Sequence, residues 1–187
     1  MFWYEKILIN KQADENMSFK FEDTADLKWI ASQTSHNSYQ LIEDNRTIGS
    51  LVFHKKSKRI AAGKIDGREF KIKKHWLFSN SIFIEPNDLR MHTMLITDFN
   101  KGGMIELDGE KIFWKCYSRL QNEWMFANEN NKKIIAFKPV TSFYKTGYFA
   151  QIKSKGFDKH SITILLLLGI FNLIIMDEMT GITSAFI

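Results

Sequence analysis

Residues 161–176 read SITILLLLGIFNLIIM, preceded by Asp158-Lys159-His160 and followed by Asp177-Glu178. With Asp158 or Ser161 able to cap its start, this stretch predicts a helix. It is apolar on every side and so has no solvent face. Its sixteen uncharged residues span about 24 Å as a helix, short of the roughly 30 Å hydrocarbon core and of the usual ~20 residues. Asn172 lies inside it, and two carboxylates abut its end. Tilt or local thinning of a bilayer accommodates a short span. Two readings therefore stand: a helix enclosed by protein, or a C-terminal membrane anchor over residues 161–176.

The enclosing reading needs a hollow apolar host, and the preceding sequence supplies one. From about residue 27 onward, short alternating or apolar runs are broken by turn signals. Tyr39-Gln40-Leu41-Ile42, the turn Glu43-Asp44-Asn45-Arg46 and Thr47 to Phe53 read as strand, turn, strand. Asp66-Gly67 and Asp108-Gly109 are hairpin signals, because both central residues of a type I′ turn need positive φ. Phe70-Lys71-Ile72-Lys73 alternates with period 2, which puts the lysines on one face and Phe70 and Ile72 on the other. Ser81 to Ile84, Met94 to Thr97, Met104 to Leu107, Lys111 to Tyr117, Glu123 to Ala127, Ile134 to Phe137 and Gly147 to Ile152 continue the series. Strands at such spacing predict an all-β meander, closed as a barrel or folded as a sandwich. Combined with the helix, the expected fold is mostly β, a closed barrel of about 12 antiparallel strands around a central hydrophobic C-terminal helix.

Composition agrees. The 187 residues are 44% hydrophobic, 25% charged and 14% aromatic, with 16 Phe and 5 Trp against 2 Pro. That excludes wholesale disorder and favours pleated surfaces. The length suits one domain over 1–187: an extension over 1–30, the strands, the helix over 158–178 and a tail over 179–187. Residues 11–28, polar and acidic, read as a loop or an extra helical turn. The single cysteine, Cys116, excludes a disulfide framework and an all-cysteine zinc site. Met1 to Lys6 lacks the basic start and small-residue cleavage site of a signal peptide, so a cytoplasmic location is expected.

Charge is uneven. Residues 51–80 hold 9 basic and 2 acidic groups, whereas 1–50 and 81–130 each hold 5 basic and 8 acidic. The basic residues cluster at Lys55, Lys56, Lys58 and Arg59 and again at Lys71, Lys73 and Lys74. Such a region attracts phosphates on an anionic membrane or on nucleic acid. A solvated hairpin with lysines that discourage edge pairing explains the same residues without a ligand.

A meander of about twelve strands, rich in Phe and Trp and followed by one wholly apolar helix, resembles the tubby C-terminal-like superfamily. The closer likeness is to its LURP-one-related and phospholipid-scramblase-like branch, which includes bacterial members. It rests on Tyr39 to Asn45 followed by Ile48-Gly49, on Phe70 to Lys73, on Asn100-Lys101-Gly102-Gly103 and on Leu165 to Met176, and it covers roughly residues 35–178. The resemblance implies a barrel threaded by its helix and a link to membrane phospholipids. Lys71, Lys73 and Lys74 are the nearest in character to the paired basic residues with which tubby proteins hold phosphoinositides. The cysteine-rich palmitoylated segment and proline-rich start of the scramblase branch are missing, which argues against scramblase activity.

Other chemistry is poorly supported. His36, His54, His75, His92 and His160 lack the spacing of metal ligands. Asp98 to Gly102 begins like a calcium loop, but Gly109 stands where a bidentate Glu is needed. Cys116 should share a strand face with Trp114 as an inert core thiol. Glu106 and Asp108 read as a solvated edge, and no nucleophile elbow, P-loop or dinucleotide motif occurs. Lys74-His75-Trp76 and Phe113-Trp114-Lys115 could stack on bases, yet most such rings must fill the core, so nucleic acid is disfavoured. The expectation is a non-enzymatic barrel without cofactor or metal. It would touch anionic phospholipid headgroups or a protein partner through Lys55, Lys56, Lys58, Arg59, Lys71, Lys73 and Lys74, at the membrane periphery.

Overall fold

In the computed structural model the described residues form a closed antiparallel barrel of twelve strands with one helix inside it. The structure describes residues 26–32, 35, 37–75, 81–86, 92–98, 102–140, 147–154 and 156–180. In chain order the elements are β1 (Asp26–Ala31), β2 (Ser38–Glu43), β3 (Arg46–His54), β4 (Ser57–Ile65), β5 (Arg68–Lys74) and β6 (Ser81–Pro86). They continue with β7 (His92–Asp98), β8 (Gly102–Leu107), β9 (Glu110–Ser118), β10 (Glu123–Asn128), β11 (Lys133–Pro139), β12 (Gly147–Ile152) and α1 (Lys159–Thr180). Each strand pairs with its sequence neighbours, and β1 closes the ring on β12, Asp26 opposite Gln151 and Ile30 opposite Gly147.

The expected extension over residues 1–30 overlaps β1. Leu27 and Trp29 point inward and are fully buried, so Asp26–Ala31 is a wall of the barrel despite its polar surroundings in sequence. Residues 99–101 of the calcium-like stretch, residues 181–187 of the tail expected over 179–187 and most of the 11–28 stretch lie outside the described residues.

Turn chemistry sets the hairpins. Asp44 and Asn45, Asp66 and Gly67, and Asp108 and Gly109 all adopt positive φ, the left-handed pair that matches the twist of the strands joined. Inward positions then alternate as the pattern predicts: Phe70 and Ile72 are buried while Lys71 and Lys73 are exposed.

The helix fits because of size. At about 4.8 Å between strands and a tilt near 40°, twelve strands close at a radius of roughly 12 Å. A helix is about 10–12 Å across with its side chains, which leaves room for one inward-pointing layer from the wall. An eight-stranded barrel would be filled by its own side chains. Every residue from Ser161 to Ile175 is buried. By length and composition α1 could cross a membrane, but 83% of its most apolar 18-residue window lies inside the protein. Serving as an anchor would require it to leave the barrel.

Two glycines bring helix and wall together. A Cβ on Gly63 of β4 would sit 2.7 Å from Leu167 Cδ2, and one on Gly169 of α1 would collide with the Phe137 ring. Phe171 stacks on Phe53 with centroids 5.5 Å apart, and Trp114, Trp124, Phe126 and Phe137 form a connected aromatic group.

Both helix ends are tied to the wall. At the start, Asp158 accepts the backbone N–H groups of His160 (2.6 Å) and Ser161 (3.1 Å), a side-chain cap on otherwise unpaired donors. The two Asp-Gly turns converge on the same point: Asp66 pairs with Lys159, and Asp108 Oδ2 lies 2.9 Å from Ser161 Oγ. At the far end, the Tyr148 hydroxyl donates to Asp177, and Lys58 pairs with Glu178.

Candidate functional site

The seven basic residues expected to form one surface fall into two environments. Lys58, Arg59 and Lys74 sit at the barrel end from which the last turn of α1 emerges. There Lys58 meets Glu178, and burial pulls its pKa down. The pairing of Ile60 with Lys73 carries on to set Arg59 opposite Lys74. Burial first, and the Arg59 charge second, lower the Lys74 pKa to about 8. Of the three, Lys58 belongs to the charge group at the helix end, which also holds Asp177. Burial raises the Asp177 pKa, partly offset by the hydrogen bond from Tyr148; burial and the Asp177 charge raise Tyr148 and Tyr39 as well. Lys58 and Tyr148 meet the two acids of the helix end, Glu178 and Asp177, where they leave the apolar interior.

Lys55, Lys56, Lys71 and Lys73 are different. Lys55 and Lys56 form the exposed β3–β4 turn, where His54 Nδ1 accepts the Lys56 N–H at 3.4 Å. Lys71 and Lys73 point outward from β5. Among the described residues no carboxylate pairs with any of the four. Because β5 is bonded to β4 on one side and β6 on the other, they guard no sheet edge.

Together with residues the sequence reading did not single out, Lys71 and Lys55-Lys56 rim a groove of about 820 Å³ on the outside of β3, β4 and β5. Its form follows from register. Val52, Ala62 and Lys71 make one outward row, and Ser50, Lys64 and Glu69 the next. Small side chains at Ser50 and Ala62 leave the centre low, while long ones stand at the margins. Val52 (45% exposed) and Ile60 (38% exposed) give this floor an open apolar character. Lys64 contacts Glu69 at 3.5 Å, a solvent-exposed pair of small energetic weight. The missed signal was the alternation itself: the outward phase of β4, namely Ile60, Ala62 and Lys64, continues the phase of Lys71 and Lys73.

The other candidates resolve simply. Among the described residues no three His, Cys, Asp or Glu side chains group as metal ligands, although the His92 and His160 rings lie 6.0 Å apart. Cys116 packs against the core on the same strand phase as Trp114. Trp114 is buried and stacked on Trp124, so its ring is occupied within the core. Trp76 lies outside the described residues. Glu106 and Asp108 are exposed, as expected, and Asp108 also accepts a hydrogen bond from Ser161 at the helix start.

No family model matches the chain, and no curated protein or solved structure does either.

Proposed function

We propose that the protein is a non-enzymatic module of the tubby-like, LURP-one-related kind that docks peripherally on anionic phospholipid headgroups through the outer face of β3, β4 and β5. The observation that supports this reading is the groove. Exposed Lys55, Lys56, Lys64 and Lys71 stand around Val52, Ile60 and Ala62, with Lys73 alongside on β5. Lys55, Lys56, Lys71 and Lys73, which pair with no carboxylate among the described residues, attract a phosphate-rich surface, each contributing about 1 kcal/mol near the membrane. The small apolar floor suits the boundary between headgroup and acyl chain. The barrel with a helix through it is also the arrangement the family resemblance implies. Lys58, Arg59 and Lys74 are left out, because they do not line the groove and Lys58 is paired with Glu178.

The test is flotation on vesicles containing phosphatidylserine or phosphoinositide, at low and high salt, against neutral vesicles. Binding at low salt that falls away at high salt, and that is lost in Lys71→Glu/Lys73→Glu, supports the reading. A protein that ignores anionic vesicles at low salt overturns it and leaves an acidic protein surface as the partner to seek. Binding that resists salt would mean that residues 161–176 enter the bilayer.

A further inference from the structure

The groove over β3, β4 and β5 carries one imidazole among its lysines. His54 is the last residue of β3. Ser50 and Val52 point outward from that strand while Leu51 and Phe53 are buried, so alternation carries the exposed His54 outward as well. It lines the groove beside Lys55 and Lys56 of its own turn. Imidazole is the side chain whose charge changes between about pH 5 and pH 8. The other described histidines are engaged elsewhere. His75 stands edge-on to Phe83, and His92 and His160 face each other at the start of α1.

The contact that His54 makes belongs to its neutral form. Nδ1 accepts the Lys56 N–H at 3.4 Å, whereas a doubly protonated ring has only donors. Gaining a proton therefore adds a positive charge to the groove and unties the Lys55-Lys56 turn from the ring. The charged groups around it come from three elements. Its own turn brings Lys55 and Lys56, β4 brings Lys58 and Lys64, and β5 brings Glu69 and Lys71. Glu69 contacts Lys64 at 3.5 Å, and Lys58 is paired with Glu178 of α1. On the β2 side the Asn37 carbonyl takes the Phe53 N–H, and the described residues there, Ser35, Asn37 and Ser38, are uncharged. Among the described residues no carboxylate pairs with the ring. A phosphate surface laid on the groove would supply the missing counter-charge.

We infer that the groove is proton-gated: protonation of His54 strengthens its docking on anionic headgroup phosphates, so that acidic surroundings favour the bound state. The inference rests on the docking reading above and adds its regulation. One more basic charge near an anionic surface is worth about fivefold in partition. Binding and protonation are linked, so the surface in turn draws the proton onto the ring.

The test is flotation of the full chain at constant low ionic strength, at about pH 5.5 and about pH 7.5. The vesicles combine phosphatidylcholine with phosphatidylglycerol, whose phosphodiester keeps its charge throughout, and phosphatidylcholine alone is the control. The unmodified protein should partition about fivefold more strongly at the lower pH. His54→Asn, which places an uncharged acceptor near the position of Nδ1, should hold the weaker level at both values. His54→Lys should hold the tighter level at both. Because His54 is exposed at a turn, neither change touches the core. Equal partition at the two pH values in the unmodified protein overturns the inference while the docking reading stands. So does a pH ratio that both variants leave unchanged, which would place the added charge elsewhere on the barrel. A protein that floats at neither pH overturns the docking reading itself, and this inference with it.

Discussion

Gly169 faces the Phe137 ring so closely that the helix axis at this level is set by the absence of a side chain. In a solvent-exposed helix, Gly→Ala would gain about 1 kcal/mol of helix propensity. Here the sign reverses. Gly169→Ala is expected to lose about 1–3 kcal/mol through overpacking, read as a lower midpoint in urea. Phe137→Leu in the same chain should return part of that loss, because the two changes share one contact and do not add. Additive losses would show that the ring is not what excludes the methyl.

Asn172 sits in the middle of α1 at 1% exposure. Its amide nitrogen lies 3.3 Å from Met94 Sδ, and among the described residues its carbonyl oxygen has no donor. A thioether is a weak acceptor, so this amide is dehydrated with little return. Asn172→Leu should stabilise the fold by about 1–3 kcal/mol, the desolvation cost of an unpaired polar group. Thermal unfolding measures this directly; a lower Tm would reveal a partner for the amide.

Asp158 is held as a carboxylate. Burial works against its charge, but hydrogen bonds from Ser161 and the His160 N–H outweigh it and lower the pKa. A carboxyl with a depressed folded pKa contributes stability above its unfolded pKa, near 3.9, and loses it as the pH falls through the folded value. Asp158→Ala should lose roughly 1 kcal/mol at pH 7 and flatten the acid limb of the stability curve below pH 4. Asp158→Asn should keep most of the capping but show the same flattening.

Lys74 makes a prediction of the same sign at the alkaline end. Its folded pKa of about 8 lies below the ordinary 10.5, so the unfolded chain holds more protons between those values and stability rises with pH there. The penalty is complete below pH 8 and relieved above it. Lys74→Gln should remove that rise between pH 8 and 10.5, measured by denaturant midpoints across the range.

Most of the architecture was legible because few physical rules govern it. The Asp66-Gly67 and Asp108-Gly109 turns, the Phe70 to Lys73 alternation and an all-apolar helix with no solvent face leave little besides a barrel with a filled centre. β1 escaped because Leu27, Trp29 and their neighbours sit among acids that read as a loop; what makes them a strand is pairing with β12, more than 110 residues later. The basic surface was read only in part. Lys58, Arg59 and Lys74 are near the groove in sequence, but at the barrel end strand alternation no longer separates inside from outside. The partner of Lys58 there, Glu178, lies over 100 residues away. Lys64, Val52 and Ile60 were overlooked because a groove is a property of three strands in register, visible in none of them singly.

The position of α1 at the end of the described chain has a consequence for synthesis. All twelve strands leave the ribosome before the element around which they close, and β1 must wait for β12. Until residues 161–175 emerge, the inward faces of the wall have only one another or chaperones to cover them. A barrel with so many distant pairings folds slowly, and exposed apolar strands invite aggregation meanwhile. Translation stopped short of the helix should therefore yield a nascent chain bound by chaperones, and emergence of residues 159–180 should act as the trigger for closure.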